Sequence, residues 1–304
     1  MLRWVACFLL AISALAPARA EPIAPVRPRP AIEHVVVISI DGCRPDLLLF
    51  ADTPNLHRLA HEGAYTFWAW TTAVSVTLPS HTSMVTGLTP GRHGITWNRL
   101  LPLQEPIYPA GPTMMEVASK AGYVTAMIAG KAKFVVLNKP GTITHAYVPA
   151  EKETCNDAIV VAKAVQTIES FKPALTFIHF PELDGVGHAK GWGSHAQLDH
   201  LRETDQHVGE VLAALDRAGM RQSTFVIVTA DHGGTALSHG AEDPRSRYIP
   251  WIAAGPGVRR DFDLTQLGGL EVHTEDTFAT ACYLLGLPLD PKIDGKPVTA
   301  VFEP

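Results

Sequence analysis

The feature that most constrains this chain is a set of apolar runs of strand length, several of which stop at an aspartate. Runs rich in Val, Ile and Phe cover His34–Ile40, Tyr123–Ala129, Ala174–Phe180, Thr224–Ala230 and Pro250–Ala254, and continuous apolar runs of this length suit strands buried on both faces. Helical patterns stand between them at Pro54–Glu62, Thr113–Ala121, Asp157–Ser170, His195–Ala218 and Asp276–Leu285. Several of these precede a glycine (Gly63, Gly122, Gly219, Gly286), the residue that relieves a left-handed helix cap. Strand and helix in alternation predict an α/β fold, a mostly parallel central sheet sandwiched by helices.

Three of the runs lead into a carboxylate: VVVISI into Asp41, LTFIHFPEL into Asp184 and TFVIVTA into Asp231. The carboxyl ends of parallel strands share one edge, and the crevice beyond that edge is where open α/β sheets bind ligands. Carboxylates far apart in sequence are therefore expected to converge there.

The residues around these aspartates suit a metal. Asp184-Gly-Val-Gly-His188 reads as a tight loop that grips one ion with a carboxylate and an imidazole, Asp231-His232-Gly-Gly places two ligand types side by side at a strand end, and His239-Gly240 offers a further imidazole. Mixed Asp and His sets favour zinc, with manganese or iron as lesser options, over an all-oxygen calcium cage. In the segment Val76-Thr77-Leu-Pro79, the proline suits the first turn of a short helix and leaves Thr77 just ahead of that helix's N-terminus, a place that favours a bound phosphate. A hydroxyl becomes a useful nucleophile only with a base or a metal beside it.

With these motifs in view, the chain resembles the nucleotide pyrophosphatase/phosphodiesterase branch of the alkaline phosphatase superfamily. The resemblance runs in order through ISIDGCRPD, TPNLHRLAHEGA, VTLPSHTSMVTGLTPGRHGITWN, PELDGVGH, TADHGG and SHGAEDPRSRYIPWIAAGPGV. It implies an alkaline phosphatase-like fold with only a small cap, since the stretches Asn98–Pro112 and Lys131–Asn156 are short. It implies two divalent ions, Zn2+ by preference and Mn2+ or Fe otherwise. Asp41, Thr77, Asp231 and His232 would hold one, and Asp184, His188 and His239 the other, with His273 as the rival to His239. Thr77 would be the nucleophile, forming a phospho-threonine intermediate, and Asn98 would bind a nonbridging phosphate oxygen. The expected substrate is a small-molecule phosphodiester or nucleotide pyrophosphate. The segment Gly130-Lys131-Ala-Lys133-Phe134 is similar to the paired-lysine segment of phosphonoacetate hydrolases, so Lys131 and Lys133 are candidate substrate-binding residues. Monoester or phosphonate hydrolysis is the alternative activity, and a non-catalytic metal-binding relative the alternative of another class. Cys43-Arg-Pro-Asp-Leu47 superficially resembles a sulfatase motif but lacks its final arginine.

The ends of the chain bear on where it acts. Residues 1–20, MLRWVACFLLAISALAPARA, have a basic start, an apolar stretch and an Ala-Arg-Ala ending, which reads as a cleaved export signal. The Pro-rich residues 21–31 read as an extended linker, and residues 32–304 as one catalytic domain. A periplasmic or secreted protein with no membrane anchor after cleavage is expected, as a monomer or homodimer. Cys7 falls in the signal, leaving Cys43, Cys155 and Cys282 with no CxxC pair, so neither a disulfide framework nor a thiolate zinc site is implied. A formal net charge of -5 without Lys/Arg blocks argues against a nucleic-acid-binding surface.

Overall fold

A computed structural model describes residues 26–153, 155–240 and 242–303. The predicted export signal and the first part of the predicted linker lie outside these residues, and residues 26–31 carry no helix or strand. The described chain forms one mixed sheet of strands β1 (His34–Ile40), β2 (Ala64–Trp70), β3 (Thr125–Ala129), β4 (His145–Tyr147), β5 (Leu175–Phe180), β6 (Thr224–Thr229), β7 (Tyr248–Ala254) and β8 (Phe262–Asp263), in the order β4-β3-β5-β1-β6-β7-β2-β8.

The predicted strands occupy the middle of this sheet. β1 lies between β5 and β6, parallel to both, with Ser39 opposite His179 on one side and Thr229 on the other. Every residue of β3, β5 and β6 is buried, as strands covered by helices on both faces must be. The edges depart from the expectation. β2 lies outside the predicted strands although Ala64–Trp70 is apolar or aromatic at every position but Thr66, and its residues alternate between buried and more exposed; β4 and β8 are too short to stand out. β7 runs antiparallel to both β6 and β2. Among the described residues, the segment from residue 230 to 247 contains only the short helix Pro244–Arg247, so the chain turns back at the edge it has just reached; a parallel strand would need a full crossover.

The predicted helices form at Pro54–Glu62, Met114–Lys120, Asp157–Phe171, His195–Arg217 and Asp276–Leu284. Thr113, Asn156 and Ser194 cap three of them by accepting the amides of Glu116, Ile159 and Gln197, which satisfies donors that a helix start leaves unpaired. Gly122, Gly219 and Gly286 adopt the positive φ expected after a helix. Gly63 does not: its φ is -138°, and a Cβ there would lie 2.0 Å from the carbonyl oxygen of Ala253. That glycine serves the close approach of β7, not a left-handed cap.

Candidate active site

Two groups of ligand-type side chains form at the carboxyl edge of the central strands. The inner group is Asp41, Asp231 and His232. Asp41 directly follows β1 and Asp231 lies just beyond β6, and all three residues are fully buried. Each carboxylate commits one oxygen to the protein: Oδ2 of Asp41 accepts from Nε2 of His179 (2.9 Å) and from Nζ of Lys131 (2.7 Å), and Oδ1 of Asp231 accepts from the amide of Gly42 (3.0 Å). The other oxygens, Oδ1 of Asp41 and Oδ2 of Asp231, are buried without a hydrogen-bond donor. Nε2 of His232 faces both, at 3.4 and 3.1 Å, and lies 3.4 Å from Oγ1 of Thr77.

The charges in this pocket are not balanced by the carboxylates' own environment. Burial, together with the charge on Asp41, pushes Asp231 up to about 7. Burial also works against ionised Asp41, but Lys131 and His179 hold its carboxyl well below the usual range. Unpaired buried carboxylate oxygens cost free energy unless a cation or proton satisfies them.

The outer group is Asp184, His188 and His239. Asp184 and His188 were expected in a tight loop, but Glu182–Lys190 is a helix, and residues four apart stack on one helix face. Of the glycines between them, Gly187 answers to packing, since a Cβ there would lie 2.7 Å from the Trp192 ring, whereas a Cβ on Gly185 would meet open space. Oδ2 of Asp184 accepts from Nζ of Lys131 (2.6 Å), while its Oδ1 is buried without a donor and lies 3.3 Å from Nε2 of His188 and 3.6 Å from Nε2 of His239.

The tautomers agree across both groups. Nδ1 of His232 lies 2.8 Å from the carbonyl of Gly233, that of His188 2.9 Å from Leu237, and that of His239 2.9 Å from Ser75. A carbonyl can only accept, so each ring carries its proton on Nδ1 and presents the Nε2 lone pair inward, the arrangement typical of a metal-ligating imidazole. Burial and the neighbouring His232 push His239 down to about 4, which keeps that lone pair available. The two groups adjoin: the rings of His232 and His239 stack at 3.7 Å, and Lys131 joins Asp41 to Asp184. Orphaned carboxylate oxygens and inward lone pairs, in mixed Asp and His sets, fit divalent ions of the zinc type.

Thr77, expected just before a helix, is the first residue of helix Thr77–Thr86, with Val76 at the N-cap. The Leu78 amide at this helix start donates to Oδ1 of Asn98 (3.0 Å), which also accepts from Nζ of Lys133 (2.8 Å). With Oδ1 so engaged, the Asn98 side-chain NH2 remains as a donor beside Thr77. Burial and the nearby Lys131 push Lys133 down to about 8.

Several other histidines find places outside these groups. His273 is half-exposed and lies 3.7 Å from Glu271. His200 forms a third cluster with Asp157 and Glu182, but those carboxylates cap one another's helices: Asp157 accepts the Glu182 amide and Glu182 accepts the Asp157 amide. His81 and His179 lie directly behind the inner group, His81 bonded to the Thr77 carbonyl and His179 to Asp41. A lone imidazole inside the apolar run of β5 was the signal for His179. Among the described residues Cys43, Cys155 and Cys282 are free thiols.

Comparison with known proteins places this architecture. The type I phosphodiesterase/nucleotide pyrophosphatase family profile matches residues 35–250. An uncharacterized pyrophosphatase/phosphodiesterase of Schizosaccharomyces pombe is 29% identical over 216 residues, covering 66% of this chain and 44% of that protein. The bis(5'-adenosyl)-triphosphatase of Bos taurus is 26% identical, covering 67% and 48%. This chain thus spans about half the length of the curated relatives it matches. Among solved structures, murine ectonucleotide pyrophosphatase/phosphodiesterase 5, an inactive variant in complex with AMP, superposes with a TM-score of 0.73 at 17% identity, covering 89% of this chain and all of that one (100%). A 2-O glycosaminoglycan sulfatase superposes with a TM-score of 0.74 at 17% identity, covering 89% and 74%. These likenesses show a shared alkaline phosphatase-like fold, and the profile match across most of the catalytic sheet shows that the chain belongs to the type I phosphodiesterase/nucleotide pyrophosphatase family.

Proposed function

We propose that this protein is an exported, two-metal hydrolase of phosphodiester or nucleotide pyrophosphate bonds that works through a phospho-threonine intermediate on Thr77. The observation that carries the reading is the set of orphaned oxygens on Asp41, Asp231 and Asp184, each facing an inward imidazole Nε2. Asp41, Thr77, Asp231 and His232 would hold one ion, and Asp184, His188 and His239 the other. When bound, such ions supply positive charge against the phosphoryl oxygens and lower the pKa of a coordinated hydroxyl or water. Zn2+ suits the donor set best, with Mn2+ or Fe as alternatives.

The chain's own residues account for the rest of the chemistry. Oγ1 of Thr77 forms a bond to phosphorus as the bond to the leaving oxygen breaks; its proton passes to solvent, and the leaving oxygen departs with the electron pair of that bond and takes up a proton from water. Water then attacks the phospho-threonine, releases the phosphoryl product and restores the hydroxyl. Asn98, its Oδ1 fixed by Leu78 and Lys133, directs its NH2 to a nonbridging oxygen and so holds phosphorus against Thr77. The relatives' names, among them a bis(5'-adenosyl)-triphosphatase, favour a nucleotide-containing substrate.

A second reading rests on Lys131 and Lys133, two cations within the site. They suit a substrate with an additional anionic group, such as a monoester or a carboxylated phosphonate. Hydrolysis of matched aryl phosphodiesters, aryl monoesters, nucleotide pyrophosphates and phosphonoacetate by the zinc-loaded protein, with a chelated control, decides between them. Chelator-sensitive preference for diesters or pyrophosphates supports the first reading, and preference for monoesters or phosphonoacetate the second. No turnover on any of them would leave a metal-binding protein without this activity. The apolar start of the chain motivates export, which detection of mature protein beginning near Glu21 outside the cytoplasm would test.

A further inference from the structure

His179 differs from the three histidines of the two groups in one decisive respect. Its Nδ1 lies 3.1 Å from the backbone amide of Gly130. An amide nitrogen can only donate, so Nδ1 must be the acceptor, and the ring proton sits on Nε2. That proton points at Oδ2 of Asp41, 2.9 Å away. The proton placement is opposite to that of His188, His232 and His239, whose Nδ1 atoms meet carbonyls. His179 is therefore built to donate to a carboxylate, not to ligate an ion.

The surroundings fix this ring closely. It is fully buried on β5, stacked at 4.4 Å on Phe134 and edge-on at 4.8 Å to His81. A Cβ on Gly130 would lie 2.5 Å from the ring of Pro181, so only glycine lets that amide reach its place. Of the two Asp41 oxygens, the one His179 holds is not the orphan; Oδ1 is left without a donor and faces His232.

We propose that His179 is a positioning residue for the inner ion: held by Gly130, it takes Oδ2 of Asp41 and so turns Oδ1 toward the metal. The inference rests on the two-metal reading above and adds to it a residue that would never touch the ion. Because Gly130 begins the segment bearing Lys131 and Lys133, the same ring also ties that segment to the inner ligand.

The test is Zn2+ titration of the metal-stripped protein against a competing chelator, comparing wild type with His179→Gln and His179→Asn. Both variants are polar and smaller than the imidazole, but the Gln amide reaches toward the Nε2 position, whereas the Asn amide falls near Nδ1. Loss of an outer-shell partner typically lowers metal affinity about 10–100-fold. His179→Asn should weaken one of two Zn2+ sites by about that factor and leave the other unchanged, and His179→Gln should recover most of the loss. Circular dichroism of each stripped variant checks that it is folded; if the Asn variant does not fold, His179→Phe, which keeps the stacking on Phe134, replaces it. Two Zn2+ sites of unaltered affinity in the Asn or Phe variant would overturn this inference alone. Equal weakening of both sites, without recovery in the Gln variant, would overturn it in favour of a general packing role. A wild-type protein that binds no Zn2+ would overturn the two-metal reading and this inference with it.

Discussion

The two ligand groups differ in how the fold supports them. The inner group, Asp41, Asp231 and His232, sits at the ends of neighbouring parallel strands, and none of its side chains reaches solvent. The outer group takes Asp184 and His188 from one helix and His239 from a loop, and the His188 side chain is 44% exposed. Strand ends in a paired sheet can hardly move independently, whereas a helix start and a loop can open locally. The inner group is thus a fixed frame, next to which Thr77 and Asn98 are aligned, and the outer group is its more accessible partner.

The largest expected effect lies at the junction of the inner group with Thr77. Thr77→Ala removes the hydroxyl but leaves the carboxylates and imidazoles, so turnover should fall by several orders of magnitude while the stripped protein still takes up two ions per chain on reloading. Turnover comparable to wild type would remove Thr77 from the mechanism. Next, the exposure of His188 implies that graded chelation empties the outer group first, giving a form with one ion per chain. Metal analysis after partial dialysis measures this, and simultaneous loss of both ions would erase the distinction between the groups.

A smaller effect should appear in the acid stability of the metal-stripped protein. Burial pushes His81 down to about 3 and His93, His179 and His239 to about 4. The unfolded chain therefore binds protons at these rings from about 6.5 downward while the folded chain does not, and stability should fall as pH drops from about 6.5 toward 4. Asp231, pushed up to about 7, acts in the opposite direction, because the fold retains its proton where the unfolded chain has lost it. Burial raises Glu275 to about 7 and raises Asp276 as well, and both act as Asp231 does; four rings against these three carboxyls still give a net loss on acidification, readable as a falling thermal midpoint. A midpoint that rises over this range would show that the raised carboxyls Asp231, Glu275 and Asp276 dominate.

The smallest effect concerns Lys133, which touches Asn98 but none of the metal-ligand candidates. Lys133→Ala should lower kcat/KM about tenfold for substrates with an extra anionic group and less for simple diesters, in line with a loss of about 1.4 kcal/mol for one charged hydrogen bond. An equal loss on every substrate would mean that Lys133 works by holding Asn98 in place.

Much of this was legible in the chain itself. Apolar runs ending at Asp41 and Asp231 located the central strands and the edge where ligands gather, because a strand covered on both faces must be apolar throughout and its first polar residue marks where it ends. Helix ends were readable from Gly122, Gly219 and Gly286, whose positive φ closes each helix locally. Half-exposed β2 and the reversal at β7 were not, since their pairing depends on neighbours distant in sequence.

The sequence by itself determined which residue types stand at the strand ends and in what order, and so the class of chemistry the chain can support. Only the tertiary structure decided which oxygen of each carboxylate is already hydrogen-bonded, which nitrogen of each imidazole carries the proton, and that Asp184 and His188 share a helix face. Those are properties of partners brought together by folding: the carbonyls of Ser75 and Leu237 and the amide of Gly130 set the roles of His239, His188 and His179, and no local pattern encodes a hydrogen bond between residues so far apart.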